Sequence, residues 1–282
     1  MPLPPRTKRE YLSQLVEGKN RAFRPLTDEE KALGFLGWHE RGYLPHCDFP
    51  GLVQFVTFRL ADSMPDSRRG EWEHLLKIED DREKRTRLEE YLDRGVGECH
   101  LRDPQVAQIA EDAMLHFHNE QYELLAWCVM PNRVHVLVHV WRVPLDEMIQ
   151  SWKRFSATRA LRLLRAERRT PIRRDPNNPN EPNRSSALQS FWQREYWDTF
   201  MRDEEQERMA VHYIENNPVK ARLCRVDKEW PFNSARFRDE FNRLMIPAGA
   251  PAPAAPKLPS EGLVRPGVIL TMPTSRIGVR RS

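Results

Sequence analysis

The sequence predicts an α+β sandwich, and three observations carry that prediction. Segments of strand and helix character follow one another in the order β-α-β-β-α-β-α, and two apolar runs fold back on each other around Met130-Pro131-Asn132-Arg133. The last segment, a helix, is one more than a βαββαβ order requires. An order of this kind resembles a split-βαβ, ferredoxin-like sandwich, with an antiparallel sheet, one extra helix and, in this chain, a helical insertion.

Residues 1–48 are polar and punctuated by proline and read as an N-terminal arm, with a capping-box signature at Thr27 and Glu30. A domain is expected over residues 49–240. Its first strand is Leu52 to Leu60, β-branched and aromatic, closed by the breaker-rich Asp62-Ser-Met-Pro-Asp-Ser. Within the expected insertion at 66–98, Trp72, Leu75, Leu76, Leu88, Tyr91 and Leu92 recur near helical spacing around a charged middle, which fits two short helices or a helical hairpin. Asp103-Pro104 opens the next helix as N-cap and first-turn proline.

The hairpin follows. Its arms are Tyr122 to Val129 and Val134 to Val140, and Pro131 presets the turn between them. With a period of two, Val134, Val136, Val138 and Val140 share one face and Arg133, His135, Leu137 and His139 the other. The valine face belongs in a core, and the histidine face looks to solvent, to a covering helix or to a site. Pro144 then opens a long helix whose Leu145, Met148, Ile149, Trp152, Phe155, Ala160, Leu163 and Leu164 form one apolar stripe. The rest of that helix is basic: Lys153, Arg154, Arg159, Arg162 and Arg165 are followed by further arginines, with Glu167 as the one acid up to Arg174. Such a face is either a solvated surface or a phosphate-binding one. A loop insertion is expected at 170–188, an aromatic strand over Phe191 to Met201, a last helix capped by Asp203 and running to about Asn217 where Pro218 stops it, and a disordered Pro/Ala-rich tail over 246–282.

Composition excludes some functions. Apolar residues at 39% and charged residues at 30% describe a soluble chain. No apolar run reaches the length that spans a bilayer, and the N-terminus lacks the apolar core of a secretory signal, so a cytoplasmic protein without a membrane partner is expected. The four cysteines have no metal-ligand spacing and read as buried thiols. Trp192, Tyr196 and Trp197 either fill the core or stack on unpaired bases.

On the last helix Tyr213 and Asn217 lie four apart, on one face. Taken together, Met130-Pro-Asn-Arg-Val-His-Val-Leu-Val, Phe191-Trp-Gln-Arg-Glu-Tyr-Trp-Asp, Tyr213-Ile-Glu-Asn-Asn-Pro-Val-Lys-Ala and Trp230-Pro-Phe-Asn-Ser-Ala-Arg resemble the REP-associated tyrosine transposases, single-tyrosine HUH enzymes. The resemblance runs from Phe49 to about Arg238. It implies a protein that binds structured single-stranded or hairpin DNA and cleaves and rejoins it through a 5′-phosphotyrosine, with Mg²⁺ or Mn²⁺ stabilising the pentacoordinate phosphate. By that resemblance Tyr213 is the nucleophile, His135 the second histidine of the HUH pair, and Asn217 the helix-borne metal ligand. Lys153, Arg154, Arg159, Arg162 and Arg165 are the expected DNA contacts. Members act as dimers or as monomers, so a homodimer stays open.

One position departs from the pattern. The first HUH histidine is Arg133, which cannot ligate a metal and puts a fixed positive charge where the cation would sit. His139 is no substitute, because four residues of strand carry it about 13 Å from His135. Two readings follow: an active strand transferase with an altered site, or a catalytically degenerate DNA-binding protein whose metal is weakened or absent.

Overall fold

The computed structural model describes residue 22 and residues 24–40, 45–169 and 190–246. The loop expected at 170–188 and the tail expected at 246–282 lie outside these residues, apart from Ile246.

A short helix α1 (Asp28–Ala32), capped by Thr27 and Glu30 in the expected reciprocal box, leads into a two-stranded hairpin, β1 (Gly37–Glu40) and β2 (Pro45–Asp48). The main sheet begins at β3 (Val53–Arg59). Two helices, α2 (Arg69–Leu76) and α3 (Asp81–Asp93), form the insertion. Then come α4 (Pro104–Leu115), capped by Asp103, the hairpin strands β4 (Tyr122–Val129) and β5 (Arg133–Val140), the long helix α5 (Leu145–Arg169), the short strand β6 (Trp197–Phe200) and the last helix α6 (Glu204–Lys220). The four strands lie in the order β4-β5-β3-β6, all antiparallel. Because β5 sits between β3 and β4, the unit is a split βαβ, and the α+β, ferredoxin-like order expected from the sequence is the one found.

The sheet separates two cores. On the valine face, Val134, Val136, Val138 and Val140 pack with Val106, Ala110 and Met114 of α4 and Leu145, Ile149 and Trp152 of α5. On the opposite face, Val53, Phe55, Ala126, Cys128 and Leu137 pack under Ala210 and Ile214 of α6. A bulge between Leu124 and Ala126 shifts the register of β4, so that Trp127 enters the valine-side core while Ala126 and Cys128 reach the α6 side. The insertion has a small core of its own, Trp72, Leu75, Leu88, Tyr91 and Leu92, with Trp197 packed against it.

Two local expectations change. The last helix runs through Pro218 to Lys220 rather than stopping at Asn217, and Asn217 turns its side chain into the fold. Of the aromatic stretch from Phe191, only Trp197–Phe200 pairs as a strand, while Trp192 and Tyr196 fill the core. No described helix is long and apolar enough to cross a membrane.

Candidate functional site

The pairing register builds the site. Across the sheet, Trp197 of β6 faces Thr57 of β3, Thr57 faces His135 of β5, and His135 faces Cys128 of β4, so all four lie on the α6 face. Arg133 follows two residues before His135 on the same face. From α6, Tyr213 brings its ring edge-on to His135 at 5.8 Å and to Phe55 at 5.8 Å between centroids. Asn217, one turn on, reaches Arg133. The structure therefore gathers Tyr213, His135, Asn217 and Arg133 in one place. The tyrosine is half-buried, and the other three are buried.

Arg133 is the centre of this cluster. Its side chain is 1% exposed, and every arm has a partner. Nε donates to His135 Nε2 at 3.0 Å and Nη1 to Asn132 Oδ1 at 3.1 Å. Nη2 donates to Asn217 Oδ1 at 3.0 Å, pairs with Glu89 Oε2 at 3.1 Å and makes a short contact with Asp93 Oδ1. Burial works against the guanidinium's charge, but the Glu89 and Asp93 carboxylates outweigh it and hold the group protonated more firmly than a free arginine.

The same contacts fix the histidine. Arginine only donates, so His135 Nε2 must present its lone pair to Arg133, and the ring proton sits on Nδ1, which donates to Thr57 Oγ1 at 2.8 Å. Burial, with Arg133 beside it, holds this imidazole neutral, well below the ordinary histidine range.

A divalent metal does not fit this arrangement. The atoms that would ligate it, His135 Nε2 and Asn217 Oδ1, are already hydrogen-bonded to the guanidinium, which occupies the space between them. With Arg133 in place, no three His, Cys, Asp or Glu side chains among the described residues form a group able to hold a metal ion. The Mg²⁺ or Mn²⁺ expected by resemblance thus meets an organic cation in its place.

Sequence reasoning missed Glu89, Asp93, Thr57 and Lys220. The two acids lie four apart on α3, hence on one helical face, but nothing in their spacing says that the insertion folds over the hairpin. Asn132 completes that junction by donating from Nδ2 to the Leu92 carbonyl at 2.8 Å. Thr57 emerges only from the strand register. Lys220 places its ammonium 5.9 Å from the centroid of the Tyr213 ring.

The basic helix lies elsewhere. Lys153 is engaged internally, donating to the carbonyls of Gln193, Arg194 and Glu195 at 3.0–3.2 Å. Arg154, Arg159, Arg162 and Arg165 are exposed, Arg159 lying over the ring of Phe155 at 4.4 Å. Since α5 packs on the valine face, these arginines and Tyr213 are on opposite sides of the sheet. Of the three aromatics considered for base stacking, Trp192 and Tyr196 are each 4% exposed, and Trp197 alone is half-buried on the site's face, beneath Arg59 at 5.4 Å.

No protein-family model matches the chain. It is 26% identical over 115 residues to a candidate REP-associated tyrosine transposase of Haemophilus influenzae, a match covering 40% of this chain and 58% of that protein. It is 23% identical over 128 residues to a REP-associated tyrosine transposase of Escherichia coli K12, covering 45% and 61%. The chain thus matches about three fifths of the length of these curated relatives. A solved REP-associated tyrosine transposase bound to a REP hairpin aligns with a TM-score of 0.43 and 16% identity, over 82% of this chain and 100% of that one. By sequence, the chain is similar to these two REP-associated tyrosine transposases.

Proposed function

We propose that this protein, over a transposase-like unit spanning about residues 49–240, binds structured single-stranded DNA, hairpins in particular, and that the metal-assisted cleavage implied by its relatives is silenced at Arg133. The observation that carries this reading is the buried guanidinium between His135 and Asn217. With two carboxylates against one guanidinium, the cluster is formally acidic and offers a scissile phosphate no net attraction. Four exposed arginines on α5 supply a surface for phosphates that is independent of the cluster.

Retention of the tyrosine favours a second reading. Tyr213 keeps its place beside His135 and under Lys220, the arrangement a phenolate nucleophile would need. In that reading Lys220 supplies the positive charge, and strand transfer proceeds without a metal.

One experiment separates the two. The protein is incubated with labelled single-stranded DNA carrying palindromic hairpins, in Mn²⁺ and in EDTA, and resolved on native and denaturing gels. A retarded native complex without a covalent adduct in either condition is expected. An adduct formed equally in EDTA and lost in Tyr213→Phe would establish the second reading, and an adduct that requires Mn²⁺ would overturn the first.

A further inference from the structure

The acceptor atoms around Arg133 converge on one guanidinium, yet two of the residues that supply them lie outside the pair that the resemblance implies. Nη2 lies within 3.1 Å of Asn217 Oδ1 and Glu89 Oε2 and in short contact with Asp93 Oδ1, while Nε meets His135 Nε2 at 3.0 Å. Glu89 Oε2 is also 3.6 Å from His135 Nε2. One imidazole nitrogen, one amide oxygen and two carboxylates thus close on a single cationic group, nearly all of it removed from water. Glu89 and Asp93 face the same way from consecutive turns of α3 and hold the insertion against the sheet.

We propose that Arg133 is the resident cation of this site, with Glu89 and Asp93 as its counter-ligands. The wild-type protein then takes no divalent ion here, and the cradle becomes a divalent-cation site only when the guanidinium is removed. Carboxylate oxygens with one imidazole suit Mn²⁺ or Mg²⁺, and a dication balances two carboxylates better than a single guanidinium does. The arginine and the two acids form one unit. An arginine without the acids would be an unpaired buried charge, and the acids without a cation would repel each other. This inference concerns the protein alone and stands or falls apart from the DNA-binding reading.

The test is a titration of the purified full-length chain with MnCl₂, following free Mn²⁺ by electron paramagnetic resonance and melting temperature in parallel. Wild type is expected to show no saturable site dependent on His135 or Asn217, and to melt at the same temperature in Mn²⁺ and EDTA. Arg133→Ala is expected to gain one Mn²⁺ per chain and a melting temperature that rises with Mn²⁺. Adding Glu89→Gln and Asp93→Asn to that variant should weaken the gained site at least about tenfold. A wild-type Mn²⁺ site abolished by His135→Ala or Asn217→Ala would overturn the proposal, as would a folded Arg133→Ala that gains no ion. If Arg133→Ala does not fold, the double substitution Glu89→Gln with Asp93→Asn in the wild-type background decides. A clear drop in melting temperature supports the counter-ligand assignment, and an unchanged one overturns it.

Discussion

Glu111 is fully buried on α4, and its charge is tolerated because three donors reach it: Trp127 Nε1 at 2.7 Å, Arg236 Nη2 at 2.7 Å and, at the longer distance of 3.4 Å, Gln108 Nε2. Burial pushes its carboxyl above the ordinary range even though Arg236 pulls the other way. Arg236→Met should therefore cost about 3–5 kcal/mol in urea denaturation, the penalty for stranding one member of a buried pair. A loss under about 1 kcal/mol would mean that Glu111 is protonated in the folded state. His118 gives a second prediction at this scale. Its Nδ1 accepts the Leu124 N–H at 3.0 Å, and burial lowers its pKa to about 4. In the unfolded chain the same ring binds a proton below about 6.5. Stability is then complete above that value, falls as the pH drops from there towards 4, and levels off below, with a slope of at most about 1.4 kcal/mol per pH unit from this residue. His118→Gln should flatten the profile in that window, though only in part, since neutral His135 contributes with the same sign. Of the residues at the site, the sequence made Tyr213, His135, Asn217 and the odd Arg133 legible by resemblance. It could not reveal the acids that make the arginine tenable, because a carboxylate pair on a charged helix looks like any solvated face until its tertiary partner is known.

At the scale of elements, the insertion is anchored where it returns to the sheet. Gly97 has φ +93°, and a Cβ there would stand 2.5 Å from the Asp62 carbonyl oxygen, while the neighbouring Glu98 N–H donates to Asp62 Oδ2 at 2.8 Å. Gly97→Ala meets both a left-handed backbone and a rigid obstacle, so a loss of about 2–3 kcal/mol is expected, together with faster proteolysis of residues 66–98. Gly70, in the first turn of α2, meets nothing within 4 Å, and Gly70→Ala should instead stabilise by about 0.5–1 kcal/mol. Equal effects of the two substitutions in thermal melts would contradict this account. Most elements were legible because local chemistry and tertiary demand agree: Thr27, Asp103 and Asp203 cap as expected. Where they compete, the sequence misleads. Pro218 reads as a stop, but packing of Ile214 and Asn217 against the sheet carries the helix through it, and the turn closes with Ala221 N–H to the Asn217 carbonyl at 2.9 Å.

For the whole molecule, the decisive feature is that the sheet has two faces with different duties. The succession of strands and helices along the chain was readable from the sequence, and so was the valine stripe. That α6 lies across the sheet from α4 and α5 was not, because periodicity tells which residues share a face but not which helix covers it. The consequence concerns DNA. A path from Tyr213 to the arginines of α5 must round the sheet edge and pass a helix about 10–12 Å across, so contact with both faces needs a ligand on the order of 20 Å or longer. At about 3.4 Å per base step, a stem of eight pairs is long enough. Replacing Arg159, Arg162 and Arg165 together by Ala should therefore weaken hairpin binding and reduce the slope of log K against log salt by up to about 2.7. Fluorescence anisotropy at several salt concentrations measures the slope for the parent protein and the variant. An unchanged slope for the hairpin would remove α5 from the interface and confine DNA to the face that carries Tyr213, where Lys220 and Arg59 would then have to supply the phosphate contacts.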